Sequence, residues 1–166
     1  MTGCTSQTPG TAIEVSGGDP ATTTTRTTSA APTTSQSNSI KPCSLLSASD
    51  RTALGITADG KPDGVKGASV CRWRVEKPRA ADSYTVSVTF YAEHGVDDLV
   101  SSQEKTPVQL GKHKGVKALG DMDAGCVIAL EISATSRVDV RAIGGDSAAL
   151  CEPAMVAAEK VEARLP

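Results

Sequence analysis

From Cys71 to Ile143 the chain repeatedly alternates apolar and polar residues with a period of two, the signature of strands with one buried face. In "VCRWRVE", Cys71, Trp73 and Val75 fall on one side and Arg72, Arg74 and Glu76 on the other. "SYTVSVTFYA" sets Tyr84, Val86, Val88 and Phe90 against Thr85, Ser87, Thr89 and Tyr91, and the intervening "KPRAAD" suits a hairpin loop. "CVIALEIS" aligns Cys126, Ile128, Leu130 and Ile132, and "RVDVRAI" pairs Val138 and Val140 against Arg137, Asp139 and Arg141. "ATS" between these two is the length of a tight hairpin. A shorter strand is expected around Val116–Leu119, between glycine turns.

Helical signals bracket these strands. Ser47 with Asp50 three residues on forms a capping-box arrangement, followed by Ala53, Leu54 and Gly55 as a left-handed stop. "ITADGKPDGVKGA" reads as a loop from its three Gly, one Pro and two Asp. "VDDLVSSQ" is expected to form a short helix with Asp97 and Asp98 near its positive end and Val96, Leu99 and Val100 inward. The closing "CEPAMVAAEKVEARLP" has Pro153 suited to a first helical position and an apolar stripe through Ala154, Ala157, Ala158, Val161 and Leu165. The fold class is therefore α+β: an antiparallel sheet of about five strands with helices packed on it.

The first forty residues follow neither period. Between Thr5 and Ile40 there are eleven Thr, many Ser, Gly and Pro, no aromatic, and only Ile13 and Val15 as large aliphatics before Ile40. Such a segment has too little apolar surface to offset its ordering entropy, so residues 1–40 are expected to be a disordered N-terminal tail and 41–166 the folded domain. Setting aside Glu14, Asp19 and Arg26 leaves 16 basic and 17 acidic residues, a balance that argues against nucleic-acid binding.

Cysteines stand at 4, 43, 71, 126 and 151, with no CxxC pair to suggest a zinc ribbon or a redox motif. Cys71 and Cys126 share the apolar parity of their strands, whereas Cys43 and Cys151 begin the first and last helical segments. Two disulfides in an oxidising compartment are expected, and they would support a core with one Trp, one Phe and two Tyr. Pairing neighbours, Cys43 with Cys71 and Cys126 with Cys151, is one of three connectivities, and the sequence leaves the other two open. Cys4 differs. Thr-Gly before it matches the small residues that precede the lipidated cysteine of a bacterial lipobox, and the Thr/Ser-rich stretch after it suits a spacer that holds a domain off a membrane. A flexible coil of that length reaches roughly 30 to 35 Å.

"TGC", the spacer, "PCSLLSASDRTALG", "CRW", "CVIALEI" and "CEPAMVAAEKV" together resemble the actinobacterial envelope lipoproteins of domain-of-unknown-function family 3558. The resemblance implies an exported α+β domain, lipid-anchored at Cys4 on the outer face of the cytoplasmic membrane, and carries over no catalytic residue.

Candidate chemistry is sparse. There is no GxSxG, and His94 and His113 both lie in glycine-flanked polar stretches expected to be solvated loops. Glu93, His94 and Asp97 are the one acid/base set an envelope hydrolase would use. "GDMDAG", with Asp121, Asp123 and Gly125, is half a calcium loop lacking its remaining ligands, and "GKHKG" lacks the spacing of a phosphate loop. No metal or cofactor is expected. The candidate binding face is the polar side of the sheet: Arg72, Arg74, Thr85, Ser87, Thr89, Tyr91, Arg137 and Arg141. A non-enzymatic binding or accessory lipoprotein, holding an envelope ligand or protein, is the leading expectation. A hydrolase, or a regulatory lipoprotein that masks a partner, is the alternative.

Overall fold

A computed structural model describes residues 40–101, 103–120 and 125–166. Seven strands form one antiparallel sheet: β1 (Lys61–Val65), β2 (Ala68–Val75), β3 (Tyr84–Tyr91), β4 (Thr106–Leu110), β5 (His113–Leu119), β6 (Cys126–Ser133) and β7 (Ser136–Ile143). Their spatial order is β1-β2-β3-β7-β6-β5-β4. Two meanders, β1–β2–β3 and β4–β5–β6–β7, thus meet where β3 pairs with β7 at the centre of the sheet.

The sheet has seven strands where the sequence suggested five. The two additions are its edges, and both contain a proline: Pro62 in β1 and Pro107 in β4. Every residue of β1 is exposed, so it has no apolar alternation to detect. Proline is tolerated in edge strands because it withholds an N–H that a central strand would need, and it discourages pairing with a further chain.

Two helices accompany the sheet: α1 (Ala48–Ala53) and α2 (Cys151–Glu162). α1 begins at the expected capping box, with Asp50 N–H donating to Ser47 Oγ and Ser47 N–H donating to Asp50 Oδ2. It ends at Gly55, whose φ of 72° is the left-handed conformation that glycine adopts without a Cβ clash. In α2, Pro153 is the third helical residue and not the first. It is still within the first turn, where amide N–H groups have no intrahelical acceptor to lose.

The expected stripe of α2 is buried: Ala154, Ala157, Ala158 and Val161 are fully covered and Leu165 nearly so. It packs on β6 and β7, over the apolar face that Ile128, Leu130, Val138 and Val140 form there, while the Pro42–Ser44 turn with Leu45 and Leu46 covers the part formed by Cys71, Trp73, Val75, Val86 and Val88. Three alanines let the helix lie close to the sheet. Two disulfides fix segments to this same face, Cys43–Cys71 and Cys126–Cys151, separated by 28 and 25 residues. In the chain-entropy model each is worth about 3.5 kcal/mol. Gly60 completes the packing. A Cβ there would lie 2.6 Å from both Cys71 Sγ and Trp73 Nε1.

The segment expected to be a helix after β3 is instead a strap with a single 3-10 turn, Val96–Asp98. It joins β3 to β4 and must pass four inter-strand spacings, roughly 19 Å, which draws the chain out. Of the residues expected to face inward, Leu99 is buried but Val100 is 83% exposed.

Candidate functional site

The pairing registers place the eight candidate residues on one face of the sheet, opposite the helices. Arg72 of β2, Ser87 of β3 and Arg141 of β7 form one row, and Arg74 and Thr85 lie in the next. Thr89 pairs with Val70 on one side and Asp139 on the other, and Tyr91 pairs with Arg137. This second face has two unequal parts.

Over β5 and β6 it is covered. Leu99 of the strap packs with Ala118, Val127 and Ala129, and Val116 lies against that group. Beside this satellite core sits a buried ion pair, Arg137 Nε to Asp139 Oδ1 at 2.8 Å. Arg137 also donates through Nη1 to the Gly95 carbonyl at 2.8 Å, and its guanidinium stacks 4.2 Å from the centre of the Tyr91 ring. One side chain thus binds sheet and strap together. Of the eight candidate residues, Arg137 is only 6% exposed, beneath the strap that crosses β7 on its way to the far edge, and Ser87 is 5% exposed between Arg72 and Arg141.

Asp139, at 2% exposure, organises this cluster, yet it was absent from the candidate residues. Burial pushes its carboxyl above the ordinary range, against the opposing pull of Arg137 and Arg141. Its second oxygen, Oδ2, has no hydrogen-bond partner, with Arg141 Nη2 standing off at 4.0 Å. The usable signal was "RVDVR": three charges spaced by two on a strand otherwise apolar enough to be central.

Over β2 and β3 the second face is open. Arg72 and Arg74 are about half exposed and pair with Asp63 and Glu76, themselves exposed. Thr85 and Thr89 are half-buried between them and β7.

The two histidines differ. His94 is exposed, with Nδ1 3.9 Å from Asp98 Oδ2 and its ring edge-on to Tyr91. Glu93 and Asp97, its proposed companions in hydrolysis, are also exposed. His113, expected in a solvated loop, is buried and bridges two elements. Nδ1 lies 2.9 Å from Glu162 Oε1 on α2, and Nε2 lies 3.2 Å from the Pro166 carbonyl oxygen. The Lys112 amide donates to the same Glu162 oxygen at 3.1 Å. "GKHKG" therefore does cradle an anion, and the anion is the chain's own carboxylate. Glycine suits position 111, since φ is 49°, a conformation that L side chains rarely adopt, and a Cβ would lie 2.4 Å from the Glu162 carboxylate and displace it from this turn. The hydrogen bond to His113, then that from Lys112, holds the Glu162 carboxyl below its usual range.

Asp121 and Asp123, and Cys4 in the tail, lie outside the described residues. Among the described residues no group of three or more His, Cys, Asp or Glu is placed to hold a metal ion. No described helix is long and apolar enough to cross a membrane.

Compared with known proteins, the chain matches the model of a family described as a protein of unknown function, DUF3558, over residues 1–164. It belongs to that family. No curated protein and no solved structure matches it.

Proposed function

From that family membership, we propose that the chain is an exported lipoprotein, anchored by a lipid on Cys4 to the outer face of the cytoplasmic membrane. Its domain serves as a non-enzymatic binding or accessory module. The observation that carries this reading is the use of four cysteines as two long-range cross-links on one face of the sheet. Disulfides of this kind persist in oxidising compartments and are rare in the cytosol. The fifth cysteine then stands apart, behind Thr-Gly and ahead of a Thr/Ser/Pro-rich spacer, where a lipid and a tether have a physical use.

A binding role is favoured over hydrolysis by what the titratable groups are doing. His113 and Glu162 are committed to each other, and Asp139 to Arg137. His94 sits in solvent beside Asp98. The open part of the second face, by contrast, offers guanidinium and hydroxyl groups in register.

Expression in an actinobacterial host tests the reading. The native chain should partition into detergent and take up labelled fatty acid, whereas Cys4→Ala should be released to the aqueous phase without label. Equal aqueous partition of both chains would overturn the anchor. A hydrolytic activity abolished by His94→Ala would overturn the non-enzymatic assignment.

A further inference from the structure

Accepting the domain as a binding module, we infer that the open part of its second face is a track for one strand of an anionic glycan, a linear sugar polymer carrying carboxylate or phosphate groups. Three hydroxyl residues, Thr85, Ser87 and Thr89, follow one another along β3 on that face, spanning roughly 13 Å. Arg72 and Arg74 stand directly opposite Ser87 and Thr85 on β2, and Arg141 stands opposite Ser87 on β7. The row is therefore flanked by guanidinium groups on both sides.

These groups are available. Arg72 and Arg74 are half exposed, and their partners Asp63 and Glu76 are exposed carboxylates; surface pairs of this type contribute little and exchange readily. Arg141 stands 4.0 Å from Asp139 Oδ2, too far for a hydrogen bond, and that oxygen is unpartnered. Among the described residues, the internal side-chain bonds of this face run from Arg72 to Asp63, from Arg74 to Glu76 and from Arg137 to Asp139, His94 and Gly95, and not through the three hydroxyls.

Shape selects the occupant. Ser87 is only 5% exposed and so forms a floor between Arg72 and Arg141. On the β6 side the strap closes the face, where Leu99 packs with Val127. A floor one strand wide between arginine walls suits a single extended chain better than the plane of a membrane. Sugar hydroxyls match the Ser/Thr row, and guanidinium forks match carboxylate or phosphate oxygens.

The test uses the full chain with Cys4→Ala, so that the result is independent of lipidation, and an oligogalacturonate hexamer as probe. Cellohexaose serves as the neutral control and phosphatidylglycerol vesicles as the membrane control. The hexamer should bind with an affinity that falls as salt rises, moving the amide resonances of Thr85, Ser87 and Thr89. Arg72→Gln with Arg141→Gln should weaken it about a hundredfold, on the order of tenfold per charged contact. Arg79→Gln, on the exposed β2–β3 loop, should leave it unchanged. Equal binding of cellohexaose, binding to the vesicles but not the hexamer, or no binding to any of the three would each overturn the inference. None of these results bears on the anchor at Cys4.

Discussion

The two faces of the sheet are built on opposite principles. The first is apolar, covered by α2 and the Pro42–Ser44 turn and closed by two covalent cross-links. The second is held where it is covered by a single arginine that reaches sheet, strap and ring at once, and elsewhere it is open. One face gains its stability from buried area spread over many side chains and from cross-links. The other concentrates it in a buried pair, where losing one partner strands a charge.

Replacing Arg137 by Met strikes the second face hardest. The loss should be about 3 to 5 kcal/mol at pH 8 by urea unfolding, since Asp139 would then be buried without its cation. It should shrink as pH falls. Burial already raises the Asp139 carboxyl in the folded state, and removing the cation raises it further. The folded form then binds the extra proton, so stability is regained below that range and lost as pH rises through it. A loss independent of pH would mean that packing of the side chain, and not its charge, holds the strap.

The first face should respond to the Cys126→Ala, Cys151→Ala double variant with a loss of about 3.5 kcal/mol, read from the same urea midpoints. Gly60→Ala should cost about 1 to 3 kcal/mol, because the added methyl meets the Cys71 sulfur and the Trp73 ring with no flexible neighbour to yield. Near-wild-type unfolding of this variant would show that the loop over Trp73 is loosely seated.

The smallest effect concerns the link between the β4–β5 turn and α2. Glu162 is held below its ordinary 4.5, so its contribution is whole above that value and is lost as pH falls below it. Glu162→Gln should flatten this part of the acid-unfolding profile while leaving stability at pH 7 lower. An unchanged profile would assign the acid sensitivity elsewhere, first to Asp50, held low by its bond from Ser47.

The central strands and the helix ends were legible because their signals are local. Alternation exposed the faces of β2, β3, β6 and β7, and Ser47, Asp50 and Gly55 marked α1. The edges were not, since Lys61–Val65 is exposed throughout and is a strand only because β2 offers it partners. His113 read as solvated because nothing near it in sequence shows that Glu162, 49 residues on, completes its site. The polar face was readable as a set of parities, but its division into covered and open parts was not. That depends on the order of the strands, which sends the strap across β7, β6 and β5 and not across β2.

The state of the cysteines in protein recovered from its own host decides between a cross-linked, anchored domain and a reduced, free one. Mass spectrometry of alkylated intact chain should find Cys43, Cys71, Cys126 and Cys151 unlabelled until reductant is added, with Cys4 carrying a lipid throughout. Four thiols that alkylate without reductant, on a chain whose Cys4 is bare, would contradict the cross-linked, anchored state.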